Sequence, residues 1–137
     1  MDASACPTIS FTIPGEAVPW ARAGKRGGIQ FTPARQRNFM AAVRTICADA
    51  MGGRAPLDCA IELKVIAKYI APASWSQKRR DATAWKVSKP DLSNTVKIVE
   101  DALNTVAWRD DAQIASLHVW KRYSDRAEIV VEIRGLG

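Results

Sequence analysis

The chain is short of the residues that hold small secreted domains and zinc modules together. It has three cysteines, Cys6, Cys47 and Cys59, an odd number at wide spacings, and a single histidine, His118. This argues against a disulfide framework, and no cysteine–histidine grouping has zinc-ligand spacing. No apolar run approaches the roughly 20 residues of a bilayer-spanning helix, and Met1 to Pro7 lacks the basic start and apolar core of a secretory leader. Internal repeats, low-complexity tracts and linkers are also missing. These absences predict a reduced, cytoplasmic protein with no membrane association and one domain over residues 1–137. At 47% hydrophobic content the chain can fill a core without cross-links.

Charge of one sign is in excess. The formal net charge is +6, which points to an anionic partner, nucleic acid before acidic membrane. A lipid- or protein-interaction domain is poorly supported, because no basic amphipathic helix with a large apolar face stands out.

Alternation over Thr8 to Ile13 predicts a first strand, ended by Pro14-Gly15. Ala17 to Thr32 carries Arg22, Lys25 and Arg26 among glycines and reads as a flexible basic hairpin or loop. A nucleotide-hydrolase phosphate loop fails there, since Arg26 follows Gly24-Lys25 where Ser or Thr is required. Thr32 as N-cap and Pro33 then predict a helix with an apolar stripe of Phe39, Val43, Ile46 and Ala50, projecting Arg35, Arg37 and Arg44 toward phosphate or water. Asp58 to Tyr69 reads as a long strand with one wet face. Ser74 and Gln77 have capping-box spacing, so a short basic helix from Trp75 is expected to carry Lys78, Arg79 and Arg80. Gln113 to Tyr123 and Ala127 to Ile133 read as an antiparallel hairpin turning at Ser124 to Arg126. The fold class implied is α+β (mixed α/β), a small mixed sheet with helices packed against it.

The remaining segment, Lys89 to Ile114, is the one the others are arranged around. Leu92, Val96, Val99, Leu103 and Val106 form an apolar helical stripe, and Asn94, Lys97, Asp101 and Asn104 form a polar one about half a turn away. Acids mark both ends: Asp91 before the helix, Asp110 and Asp111 after it. Singly, each has a structural reading: Asp91 as N-cap, Asp101 as partner of Lys97, and Asp110 and Asp111 as turn residues. Together they suit a hard divalent cation, which prefers carboxylate oxygen and is often held by only one or two acids plus water and phosphate. Such a site can cut DNA, with Lys97 orienting water or stabilising the charged phosphate. A serine hydrolase triad has no supporting motif. His118 reads as structural or surface, and Trp20 and Trp75 as core or interface.

Lys89-Pro90-Asp91-Leu92-Ser93-Asn94, Lys97, Asp101-Ala102-Leu103-Asn104 and Trp108-Arg109-Asp110-Asp111-Ala112-Gln113-Ile114 resemble the signature of the RusA-type Holliday junction resolvases. These are small homodimeric Mg²⁺-dependent endonucleases common in phages and prophages. The likeness extends more loosely over most of the chain. It implies a bacterial or phage-encoded enzyme of DNA recombination and repair that cuts four-way DNA symmetrically as a homodimer. It uses Mg²⁺, with Mn²⁺ as substitute, and no small-molecule cofactor. It also implies that Asp91 and Asp111 are metal ligands, with Asp110 as a further candidate. Lys97 is then the catalytic lysine, and Asn94, Asp101 and Gln113 support the site. Arg22, Lys25, Arg26, Lys78, Arg79, Arg80 and Lys89 are the expected DNA contacts. One position departs from the pattern: Ser93 stands where a second aspartate is expected, a weaker ligand. Three readings follow: a working variant relying on Asp91, Asp111 and Asp110 or Asp101; a weakened or inactive protein that binds branched DNA; or a deliberate inactivating substitution.

Overall fold

The computed structural model describes residues 6–19, the backbone of 24–26 and 29–31, and residues 34–137. Trp20, Arg22, Thr32 and Pro33 lie outside the described residues, and for Lys25 and Arg26 only the backbone is described. The elements in order are strands β1 (Thr8–Pro14), β2 (Gly24–Arg26) and β3 (Ile29–Phe31), helix α1 (Ala34–Met51), strand β4 (Ala60–Ile70), helices α2 (Gln77–Ala82) and α3 (Leu92–Leu103), a 3₁₀ turn (Asp111–Gln113), and strands β5 (Ile114–Ser124) and β6 (Glu128–Leu136).

Period-two alternation builds the main sheet, ordered β1-β6-β4-β5, and β2 and β3 form a separate antiparallel ribbon. Ile9, Phe11 and Ile13 of β1, Leu63, Val65, Ala67 and Tyr69 of β4, and Ile129, Val131 and Ile133 of β6 are all buried. They meet Val43, Cys47 and Met51 of α1 and Val96, Ile98, Val99, Ala102 and Leu103 of α3 in one core. Each valine, leucine, isoleucine, phenylalanine or methionine among them contributes about 1.5–3 kcal/mol when withdrawn from water. The opposite sheet face carries an ion-pair ladder: Arg134 to Glu62 at 3.2 Å, Lys68 to Glu128 at 3.3 Å and Lys64 to Glu132 at 3.7 Å. The α+β mixed sheet is as expected from the alternation.

The expected terminal hairpin is corrected. β5 pairs parallel with β4, β6 pairs antiparallel with β4, and β4 therefore lies between them. Ser124 sits opposite Ile70 and Glu128 opposite Lys68, so the link arches over the end of β4. Four steps of about 3.3 Å suffice to cross two strand spacings of about 4.8 Å. A short polar link between alternating segments looks the same in sequence whether or not a third strand fills the gap.

Two helices also differ in detail. The buried face of α1 is centred on Gln36, Val43, Cys47 and Met51, with Phe39, Ile46 and Ala50 at its margin. In α2 the cap is Ser76, whose hydroxyl accepts from the Arg79 amide at 3.1 Å, so the helix starts two residues later than the Ser74 spacing suggested. Arg44, expected to face phosphate or water, has partners within the protein. Its guanidinium donates to the carbonyls of Ala102 at 3.1 Å and Asn104 at 3.3 Å, capping the C-terminus of α3.

Candidate active site

The site is built along the exposed face of α3. Asp91 is the N-cap by position, its carbonyl accepting from the amides of Asn94 and Thr95, yet its carboxylate makes no capping bond. That carboxylate has an exposed neighbour, Lys89, at 3.4 Å, a contact worth at most about 1 kcal/mol in water. Asp91 is therefore available to a ligand. The loop before it is tied to β5 by Lys121, which donates to the carbonyls of Ser88 at 2.7 Å and Pro90 at 2.8 Å. A cleft of about 370 Å³ opens beside Asp91 and Asn94, lined also by Glu16, Arg35 and Lys89.

The apolar residues of α3 face the core, as the stripe predicted, but the helix ends at Leu103 and Val106 lies beyond it. At about 100° per residue, Ser93, Lys97, Glu100 and Asn104 share one sector, with Asn94 and Asp101 alongside. Glu100, which the expected polar stripe passed over, is thus part of the site wall. It is half-buried. Burial first, then the charges of Asp111 and Asp101, push its carboxyl above the usual carboxylate range, and Lys97 opposes this least of the four influences.

After α3 the chain reverses through Thr105, whose φ of 71° is unusual for a β-branched residue. The reversal seats Trp108, fully buried, and its indole N–H donates to Oδ1 of Asp111 at 2.7 Å. Asp111 is thereby held by one oxygen. Asp110 is differently employed: it caps the 3₁₀ turn, accepting from the Ala112 amide at 3.0 Å. Gln113 completes that capping box. Its amide oxygen accepts from the backbone N–H groups of Arg109 and Asp110, and its nitrogen donates to the carbonyls of Leu57 and Cys59, the latter two at 2.9 Å. The structure therefore gives Asp110 and Gln113 roles in fixing the turn that presents Asp111.

Among the described residues, no three histidine, cysteine, aspartate or glutamate side chains converge closely enough to enclose a metal by themselves. The donor chemistry nonetheless fits a hard divalent cation. Asp91, Ser93 and Asn94 at the start of α3 and Asp111 beyond its end all offer oxygen donors. One turn after Glu100, Asn104 has a buried side-chain oxygen without a hydrogen-bond partner. Mg²⁺ commonly accepts one or two carboxylates and fills the rest of its shell with water and phosphate.

The expected DNA contacts separate. Lys78 and Lys89 are exposed. Arg79 lies over the Trp75 ring at 3.8 Å, and Arg80 donates to the carbonyls of Pro72 at 2.8 Å and Trp75 at 3.2 Å, so both have work within the protein. Trp75 itself packs edge-on against Tyr123. His118 sits on the sheet face away from the helices, near Ser116 and Glu62. Sequence reasoning passed over Glu16 and Glu100 and left Arg35 between phosphate and water. For Glu100 the signal was present, three residues after Lys97 and seven after Ser93; for Glu16, which comes from a remote segment, there was none.

Two comparisons bear on this geometry. The family model described as Endodeoxyribonuclease RusA matches residues 14–134. The chain is also 30% identical over 141 aligned positions to the Bacillus subtilis (strain 168) protein called "Uncharacterized protein YqaN", covering 92% of this chain and 95% of that protein.

Proposed function

The chain belongs to the Endodeoxyribonuclease RusA family, and on that premise we propose that it is a cytoplasmic, Mg²⁺-dependent, homodimeric nuclease that resolves four-way DNA junctions. The observation that carries the reading is the state of Asp91 and Asp111. Asp91 occupies an N-cap position without capping, Asp111 is oriented through one oxygen by a buried indole, and Lys97 stands on the exposed face between them in sequence. Carboxylates held but not consumed by the fold are what a metal-assisted phosphodiester site requires.

Mg²⁺, or Mn²⁺ in its place, would be held by Asp91 and Asp111 with Ser93 and Asn94 nearby, and would supply charge neutralisation at the phosphate and acidify a water. Lys97 contributes a positive charge to the phosphate oxygens as negative charge develops there. Arg35 and Lys89, beside the cleft at Asp91, attract the backbone, and Lys78 extends the basic surface. A C₂ dimer supplies the two equivalent sites that symmetric cutting of a junction needs.

The test is cleavage of a strand-labelled four-way junction with and without Mg²⁺, with Ser93→Asp in parallel. Paired symmetric nicks that require metal and vanish in Asp111→Asn are expected. Ser93 favours a second reading, a protein that binds branched DNA but cuts weakly. Binding without nicks, with cutting gained in Ser93→Asp, would establish it. No nicks from either chain would end the nuclease reading.

A further inference from the structure

We propose that Cys6 and Cys59 are a disulfide-forming pair, a modification site for small disulfide oxidants of the oxidised glutathione class. The inference goes beyond the nuclease reading and does not depend on it.

The two cysteines are far apart in sequence, and one end of the sheet brings them together. Cys6 precedes β1 and Cys59 precedes β4, so they flank the last residues of β6 from opposite sides. Gly135 of β6 lies between them: its amide donates to the Pro7 carbonyl at 3.2 Å, and its partner in β4 is Ile61. Gly135 has no side chain, and both cysteines use the space. A Cβ placed on it would overlap Cβ of Cys6 and would lie 2.9 Å from Cα of Cys6 and 3.0 Å from Sγ of Cys59. The two residues thus meet over one point of the sheet. The Cys6 thiol donates there to the carbonyl of Leu136 at 3.9 Å, next to Gly135. Both cysteines are partly exposed, whereas Cys47 is buried in the core away from a dissolved oxidant. Burial first, then the adjoining Cys6 thiol, push the Cys59 thiol up to about 11, which leaves the first attack on an oxidant to Cys6.

The Cys6 sulfur displaces one glutathione from its disulfide, and the Cys59 sulfur, losing its proton, then displaces the second from Cys6. Two protein thiols are oxidised, one small disulfide is reduced, and the two protons end on the glutathione thiols. The new bond adjoins the turn that presents Asp111, because the Cys59 carbonyl accepts from Gln113 at 2.9 Å.

The test is to incubate the reduced full chain with oxidised glutathione, block the remaining thiols by alkylation and map the peptides by mass. The expected product has the Cys6 and Cys59 peptides linked within one chain and Cys47 still a thiol. Its melting temperature should rise by about 5–10 °C, since the bond closes a long loop, and dithiothreitol should reverse both changes. Cys6→Ser and Cys59→Ser should each abolish the link and the rise, and in Cys59→Ser the glutathione should remain on Cys6. Glutathione adducts without a link in the unaltered chain, a link through Cys47, or a bond formed only between two chains overturns the proposal.

Discussion

Trp108 and Asp111 are joined by a 2.7 Å hydrogen bond from indole nitrogen to carboxylate, made by the largest fully buried side chain of the core to an acid at the protein surface. Core and site are thus one construction. Trp108→Phe keeps an aromatic body but removes the donor and some volume, at an expected cost of about 1–3 kcal/mol. Junction cutting should fall by about 10–100-fold, the usual loss when a ligand's orienting partner is removed. Parallel denaturation and cleavage assays at a temperature where the variant is folded check this; a cleavage rate equal to the parent's would show that Asp111 needs no orientation.

Adjacent acids should behave differently. Asp110→Asn retains a capping oxygen and should leave both stability and cutting near the parent level, whereas Asp110→Ala should lose about 0.5–2 kcal/mol. Asp111→Asn should abolish cutting while junction binding persists. Equal loss of cutting from the two asparagine variants would return Asp110 to the ligand set.

These contrasts mark what the sequence could and could not disclose. The strands and α3 were legible because burial on one face imposes a period on the residues, and Ile9, Phe11 and Ile13 or Val96, Val99 and Leu103 carry it openly. Partner choice within the sheet was not, because alternation in β5 and β6 is the same whether they touch or flank β4. Within the candidate site, the motif singled out Asp91, Asp111 and Lys97. The capping duties of Asp110 and Gln113 were not legible, since a carboxylate in a turn looks identical whether it faces a backbone amide or a cation. The bonds that Arg44 and Arg80 make to backbone carbonyls were hidden for the same reason.

The turn at Thr105 stores strain. Its φ of 71° lies in the left-handed region, which a β-branched residue enters at a cost of about 1–3 kcal/mol. Thr105→Gly is expected to relieve more in the folded state than it adds in chain freedom, raising stability by about 0.5–1 kcal/mol. Urea denaturation checks the sign; a lower midpoint would mean that the threonine side chain is stabilising where it sits.

Basic residues of α2 should divide in the same way as the two acids. Lys78→Ala should weaken DNA binding and reduce the dependence of log affinity on log salt by about 0.9, the effect of one lost phosphate contact. Arg80→Ala removes two bonds to backbone carbonyls and should lower stability by about 1–2 kcal/mol. Its salt dependence should stay that of the parent. Binding isotherms at several salt concentrations, with melting curves, separate the two.

On the far face of the sheet, the Arg134 guanidinium holds the Glu62 carboxyl below its ordinary range chiefly by a hydrogen bond, with its charge, Lys64 and His118 adding to the effect against some burial. A carboxyl whose folded value is depressed stabilises the fold above its unfolded value of about 4.3. That stabilisation fades as pH falls through the folded value, because the unfolded chain takes up the proton first. Arg134→Ala should therefore cost stability at neutral pH and progressively less as the solution is acidified below about pH 4. Melting temperatures of parent and variant measured from neutral to acid pH should converge. Curves that stay parallel across that range would place the contribution of Arg134 in packing along β6 and not in its charge.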